Sequence, residues 1–209
     1  MLTVQQRIRW FAKPLVFFFS LLPLAALATR AAVDGLGANP IEAITHATGD
    51  WALRMLLVTL AVTTLRHLLG WNWLMRLRRM LGLFAFFYAS LHLLTYLVLD
   101  QYFAWRHIVE DIAERPYITT GFASFVMLVP LAVTSTNSMM RRLGGKRWQA
   151  LHRLVYLVAI GGVAHYFWLV KADMLNPLIY LAVLVVLLAH RLRVRFTGPR
   201  SVLARDGVR

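Results

Sequence analysis

Six stretches of this chain, near residues 14–33, 51–70, 80–99, 118–136, 150–170 and 175–191, are strongly apolar and contain no aspartate or glutamate. A helix needs roughly 20 apolar residues to cross a hydrocarbon core of about 30 Å. A backbone in hydrocarbon must satisfy its own polar groups, which leaves helices for segments of this kind. The expected fold is therefore all-α: a polytopic membrane helical bundle of six transmembrane helices forming a single domain over residues 1–209. Only 15% of the residues are charged while 59% are hydrophobic, a balance foreign to soluble domains.

The net charge of +14 is distributed by topology. With the N-terminus inside, the inner segments carry three cations at the start (Arg7, Arg9, Lys13), four in Arg66–Arg79, five in Arg141–Arg153 and six from Arg191 on. The outer segments hold only Arg30, Arg54, Arg106, Arg115 and Lys171, and all the acids except Asp206. This positive-inside pattern places both termini of a multi-pass membrane protein in the cytoplasm. The basic face reads as a topology and anionic-lipid signal, so membrane lipids rather than nucleic acid are the expected partners of these cations. Arg7, Arg9, Lys13, an apolar run and Ala26-Leu27-Ala28 also resemble a signal peptide, whose cleavage would leave five spans. The run continues to Val33, however, and the charge balance works with six. With no cysteine, disulfides, thiolate metal sites and cysteine-held clusters are excluded.

Gly35–Pro40 makes a turn-rich outer loop leading through a short segment to Asp50. Asp100–Arg115 is a second outer loop, expected to carry a surface helix with Trp105 and His107. The tail after the sixth span is too short for a nucleotide-binding domain, so a separate molecule must supply any electrons from the cytosol. Trp10, Trp51, Trp71, Trp73, Trp148, Tyr166 and Trp168 fall at water boundaries as an interfacial belt. Gly82, Gly121, Gly161 and Gly162 mark close helix contacts, and the last two also suit the approach of a flat macrocycle.

Three histidines, His92, His152 and His165, lie within these apolar runs. An ionisable side chain in a span points to function. A bare divalent ion would need anionic ligands, because an uncompensated buried charge is expensive. A porphyrin dianion brings that compensation with it, so histidines without acids read first as axial ligands of haem iron. His92 lies about 8 residues, roughly 12 Å, from the outer end of span three. His165 lies about 6 residues, roughly 9 Å, from the outer end of span five. From different helices at similar depth they can grip one iron from opposite faces. The alternative is a pair of core histidines bonded to neighbouring backbone or hydroxyl groups.

His152 precedes His165 by 13 residues, roughly 20 Å on a helix, so it cannot serve the same iron. On an ideal helix the two point about 220° apart, unless distortion near Gly161-Gly162 reduces the mismatch. His152 is either a ligand of an inner redox site or an interfacial polar residue. Its partner is not evident: Arg78 stands one span-width inward of His92, while His67 and His190 both read as interfacial beside Arg66 and Arg191. His46 and His107 fall in outer loops. Arg78, Arg79, Arg147 and Arg153 suit haem propionates, a flavin phosphate or lipid headgroups alike. Tyr88, Ser90, Thr95 and Tyr156 are candidate hydrogen-bonding groups around the imidazoles.

Arg78-Arg79-Met80-Leu81-Gly82-Leu83 with Tyr88-Ala89-Ser90-Leu91-His92 resembles the third span of the ferric-reductase-like transmembrane proteins. Within that family it is most similar to the haem-binding membrane subunits of protein-methionine-sulfoxide reductase systems. Gly35–Pro40, His46–Gly49, Arg115–Thr119, Pro130–Ser135, Trp148–Tyr156 and His165–Lys171 extend the resemblance over nearly the whole chain. It implies a six-helix cytochrome b with one or two haems b and FMN. It carries over His92, His152 and His165 as ligands, with Arg78 where wider relatives place an inner histidine. The implied donor is a cytoplasmic flavin reductase or the quinone pool. The implied acceptor is a periplasmic molybdopterin methionine sulfoxide reductase, which performs the catalysis; the chain itself is an electron-transfer subunit. Competing readings are a haem-containing ferric or cupric reductase, which shares the architecture, and a histidine-relay transporter, which would normally add intramembrane carboxylates.

Overall fold

The computed structural model describes residues 3–170 and 174–197. Lys171 of the outer set, and Arg200, Arg205, Asp206 and Arg209 of the tail, lie outside the described residues. The described residues contain six helices long and apolar enough to cross a membrane, Gln5–Ala32, Pro40–Leu69, Arg78–Asp100, Pro116–Val133, Gly145–Leu169 and Leu175–Phe196. They correspond to the six expected spans.

The first span comprises α1 (Val4–Arg7), a π-helical turn (Ile8–Ala12) and α2 (Lys13–Ala32). Phe11, Phe17, Phe18, Phe19 and Leu22 on it are exposed, as lipid-facing residues should be. Its main polar tie to the bundle is Tyr88, whose hydroxyl donates to the Ser20 carbonyl at 2.6 Å.

The second span, α3 (Pro40–Leu69), starts well before the expected residue 51. Asn39 caps it by accepting from the Glu42 backbone N–H at 3.2 Å, and Pro40 occupies the first helical position. An asparagine cap followed by proline is a strong helix start. The segment read as loop is therefore helical, and His46, Gly49 and Asp50 ride on α3. Asp50 thus enters a membrane-length helix, where it pairs with Arg54 at 3.2 Å.

α4 (Arg78–Leu94) continues into a π-helical segment (Thr95–Asp100). The expected surface helix is α5 (Trp105–Glu114), anchored by buried Ile108 and by Tyr96, whose hydroxyl donates to Asp111 at 3.0 Å. α6 (Pro116–Val133) is the fourth span, and α7 (Asn137–Leu143) lies in the basic connection that follows.

The fifth span, expected near 150–170, is present, and its helix is interrupted near the inner end. α8 (Gly145–Leu151) ends at His152, and α9 (Leu154–Leu169) begins two residues later. At the join the Arg153 N–H bonds back only three residues, to the Ala150 carbonyl at 3.2 Å. The tightened turn resets the direction of His152, so an ideal-helix angle between it and His165 does not apply. Gly161 and Gly162, where distortion would have reduced the angular mismatch, sit in regular helix.

α10 (Leu175–Thr197) closes the bundle. It is tied to α3 by Arg54, whose Nε donates to the Tyr180 hydroxyl at 2.8 Å, and to α9 by a hydrogen bond from Arg191 to the Tyr156 hydroxyl.

Packing divides the core into two tight pairs, α3 with α4 and α6 with α9. Leu57, Leu60, Phe84, Ala85, Tyr88, Val158 and Ala159 fill it. Small residues set the close approaches, as is usual between helices in lipid. A Cβ at Gly161 would fall on the Ser124 hydroxyl of α6. Gly161→Ala is therefore expected to destabilise the α6–α9 pair by about 1–3 kcal/mol through overpacking. Thermal melting of the detergent-purified protein checks this, and Ser124→Gly added to Gly161→Ala should recover most of the lost midpoint.

Candidate functional site

His92 on α4 and His165 on α9 meet across the gap between the two helix pairs. Their ring centres are 6.0 Å apart and their planes are inclined by 75°. Two imidazoles holding one metal at about 2.0–2.1 Å from each side have ring centres about 6 Å apart. The spacing is that of a bis-imidazole iron, and the donor set is neutral, as an iron already charge-compensated by a porphyrin requires.

Each ring is oriented by a backbone carbonyl of the neighbouring helix. His92 Nδ1 lies 2.9 Å from the Thr45 carbonyl of α3. His165 Nδ1 lies 2.7 Å from the Tyr117 carbonyl of α6. A carbonyl only accepts, so both Nδ1 atoms must carry the proton and donate it. Nε2 of each neutral ring then holds the lone pair that a metal uses.

The two glycines that face these rings complete the arrangement. A Cβ at Gly49 would stand 3.0 Å from His92 Nδ1, and one at Gly121 would stand 2.8 Å from His165 Nδ1. Gly49 follows Thr45 by four residues and Gly121 follows Tyr117 by four, so in each helix the glycine N–H is the regular partner of the carbonyl that orients the ring. One unit thus occurs twice: a carbonyl and a glycine on one helix, a histidine on the next. Gly49 drew attention only as part of a loop motif and Gly121 only as a helix contact. The readable signal for both was the four-residue step from a span's outer turn to a glycine.

The candidate hydrogen-bonding groups have other roles. Tyr88 donates to Ser20, Ser90 to the Phe86 carbonyl at 2.8 Å, and Thr95 to His92's own carbonyl at 2.7 Å, while Tyr156 accepts from Arg191. None of these bonds reaches an imidazole nitrogen. Among the described residues no group of three or more histidines, cysteines and acids is placed to hold a metal ion. Asp50, on the turn next to Gly49, is already paired with Arg54, whose guanidinium also lies 4.9 Å from the Trp51 ring centre.

His152 lies far from this pair, at the α8–α9 break. Its ring stacks on Trp148 at 3.9 Å between centres, and its Nε2 is 3.1 Å from the Thr134 hydroxyl. Arg78 and Arg79 are close enough to act on it electrostatically. Arg79 itself donates to the Asn137 side chain at 2.6 Å. His67, which is exposed, and His190, both expected to be interfacial, lie side by side with ring centres 6.3 Å apart. His46 lies on α3 and is exposed, and His107 lies on the exposed face of α5.

The chain is a membrane helical bundle with two histidines side by side within its spans, and residues 48–163 match the family described as ferric reductase like transmembrane component. Curated relatives narrow this. The chain is 55% identical over 181 residues to the protein-methionine-sulfoxide reductase heme-binding subunit MsrQ of Herminiimonas arsenicoxydans, covering 86% of this chain and 83% of that one. It is 57% identical to the MsrQ of Rhodospirillum rubrum, covering 85% of each chain. It is 47% identical to the MsrQ of Xanthomonas euvesicatoria pv. vesicatoria, covering 93% of this chain and 92% of that one. The chain belongs to the MsrQ family of ferric-reductase-like transmembrane proteins.

Adding one methyl group at either facing glycine drives it into an imidazole that cannot retreat without losing its carbonyl. Gly121→Ala, the tighter case, is expected to weaken retention of added haem by about tenfold, since overpacking of about 1–3 kcal/mol falls on the ligand ring itself. Gly82→Ala, which meets only the Thr59 methyl at 3.6 Å, is the control and should leave retention unchanged. Haem titration of the apoprotein, followed at the Soret band, separates the two.

Proposed function

We propose that this chain is the electron-transfer membrane subunit of a methionine sulfoxide reductase system, with haem b held between His92 and His165. The observation that carries the reading is the pair of neutral imidazoles 6.0 Å apart, each with Nδ1 committed to a carbonyl of the adjacent helix. A bound haem supplies a one-electron ferric–ferrous couple, set by axial ligand identity, hydrogen bonding and burial. The chain's own groups do the rest. Thr45 and Tyr117 fix the tautomer and direction of the rings, and Gly49 and Gly121 give the rings room. The surrounding apolar helices exclude water, which keeps the site of low polarity without stranding a net charge.

The topology follows the charge pattern: both termini cytoplasmic, the His92–His165 pair toward the periplasm, and the whole in the bacterial inner membrane. A periplasmic molybdopterin enzyme is the acceptor and carries out sulfoxide reduction. The donor is a cytoplasmic flavin reductase or the quinone pool, and FMN belongs to the same reading through the family resemblance. His152, beside Arg78 and Arg79 at the basic end, is the third cofactor-contacting histidine and helps hold an inner redox group. Its bond to Thr134 and its stack on Trp148 keep the ring in place for that role.

The test is optical and magnetic. Purified protein should show a Soret band with sharp reduced α and β bands, lost or strongly weakened in His92→Ala and in His165→Ala. Because the two ring planes are 75° apart, the ferric form should give a highly anisotropic low-spin EPR signal rather than the rhombic one of parallel ligands. A colourless protein after expression with ample haem would overturn the reading.

A further inference from the structure

A groove of about 430 Å³ opens at the basic end of the first span, lined by Arg7, Ile8, Phe11, Ala12 and Leu15 and by Trp73 of the connection between the second and third spans. Its wall is the π-helical turn Ile8–Ala12, closed where the Lys13 N–H bonds back five residues to the Ile8 carbonyl. Single π-turns are uncommon and recur at functional sites. Arg7, Phe11 and Leu15 follow at four-residue steps, so they line the groove over about 12 Å of helix. Ala12 contributes only a methyl group, which leaves depth between its larger neighbours. Ile8 is buried, whereas Phe11 and Leu15 are mostly exposed.

Depth and charge select the occupant. The groove lies on a membrane-length helix with its apolar side chains facing out of the bundle, so in a bilayer lipid is what reaches it. Its polar end is unmatched by protein. Among the described residues Arg7 belongs to none of the ion pairs, and neither its guanidinium nor the Trp73 indole N–H enters a hydrogen bond. Arg9 and Lys13 stand on the neighbouring turns and Arg76 lies three residues beyond Trp73. Every carboxylate among the described residues falls within 34–50 or 100–114, at the other end of the spans. A guanidinium at the mouth of an apolar groove, with no acid in its half of the bundle, complements a phosphate joined to acyl chains. An indole beside it suits headgroup level.

We propose that this groove binds one anionic phospholipid of the leaflet on the basic side, with its phosphate on Arg7 and an acyl chain laid along Phe11, Ala12 and Leu15 against Trp73. The lipid joins the first span to the connection that carries Trp73. That span needs such a tie, because only 6% of its apolar window is buried within the protein and its main polar bond to the bundle comes from Tyr88. The inference requires a membrane-spanning chain and is independent of the haem reading.

The experiment uses the full-length protein in phosphatidylcholine vesicles that carry a minor fraction of brominated phosphatidylglycerol or, in parallel, of brominated phosphatidylcholine. Bromine quenches tryptophan on contact, and the difference between the parent and Trp73→Phe isolates the signal of Trp73. One arginine near the surface favours an anionic lipid by about fivefold, so half-quenching of Trp73 should need about fivefold less of the brominated phosphatidylglycerol. Arg7→Gln should equalise the two lipids, and Arg7→Lys, which keeps the charge, should retain most of the preference. Ala12→Phe fills the groove and should reduce quenching by both. Arg9→Gln, whose arginine lies 5.8 Å from the Trp10 ring centre, should behave like the parent. Equal quenching by both lipids in the parent, a preference that survives Arg7→Gln, or an equal loss in Arg9→Gln would overturn the proposal. Native mass spectrometry of the purified protein names the occupant. Retained phosphatidylglycerol, depleted in Arg7→Gln, is the expected result; a quinone or a second copy of the chain, displaced by Ala12→Phe, would assign the groove to that occupant instead.

Discussion

An imidazole N–H given to a backbone carbonyl is the interaction on which the site depends. It occurs twice, from His92 to Thr45 and from His165 to Tyr117. A carbonyl inside a helix has already accepted its own N–H, but it retains a second lone pair. Using that lone pair needs no polar side chain at membrane depth. The bond is worth only about 0.5–1.5 kcal/mol net, yet the alternative, a buried ring nitrogen with nothing to bond, costs about 1–3 kcal/mol. The asymmetry makes one tautomer and one ring direction the low-energy state. The opposite nitrogen is thereby available for a metal before any metal arrives. A ring close enough to bond the carbonyl also lies over the next turn, where only a glycine fits, so Gly49 and Gly121 follow from the same bond.

The distribution of charge obeys one electrostatic rule. Two carboxylates at the outer end are compensated by a cation one turn away: Asp50 by Arg54, and Asp111 by Arg115 at 3.1 Å. At the basic end Arg78 and Arg191 belong to none of the ion pairs among the described residues. A bundle arranged this way tolerates ligands that arrive with their own negative charge and resists free cations. The haem reading of His92 and His165 and the unbalanced arginines of the other end are two consequences of that rule.

Depth was legible in the amino-acid sequence, and direction was not. Counting residues from charged ends puts His92 and His165 at a common level, and the structure brings them together. Composition and the Asp100–Arg115 pattern likewise anticipated α5. Azimuth depends on how helices rotate against each other, and small changes in packing decide it. That is why His67 and His190, each plausible alone as an interfacial residue, gave no sign of lying side by side. The break at His152 was hidden because nothing in Leu151-His152-Arg153 forbids a helix. The early start of α3 was readable, since Asn39-Pro40 is a helix beginning, but the polar residues up to Asp50 masked it as loop. The carbonyl partners of the histidines leave no side-chain mark at all, apart from the glycine one turn on.

The two-pair architecture ties the site to the stability of the bundle. α3 holds α4 and α6 holds α9 through long, close interfaces, whereas α4 and α9, which carry the facing histidines, scarcely touch. Each pair also supplies both the ligand ring and the carbonyl that orients it, so each is a complete half-site. Contacts of α4 with α6 and of α3 with α9 join the halves, and on the proposed reading a group held by both Nε2 atoms would join them again. A ligand bound only when both halves are in register stabilises that register by RT ln(1 + [L]/Kd), about 4.1 kcal/mol at a thousandfold excess over Kd. Cofactor retention and the alignment of the helix pairs are then one equilibrium. A substitution that loosens either half, such as one at the α6–α9 contact of Gly161 with Ser124, acts on the site without touching a ligand.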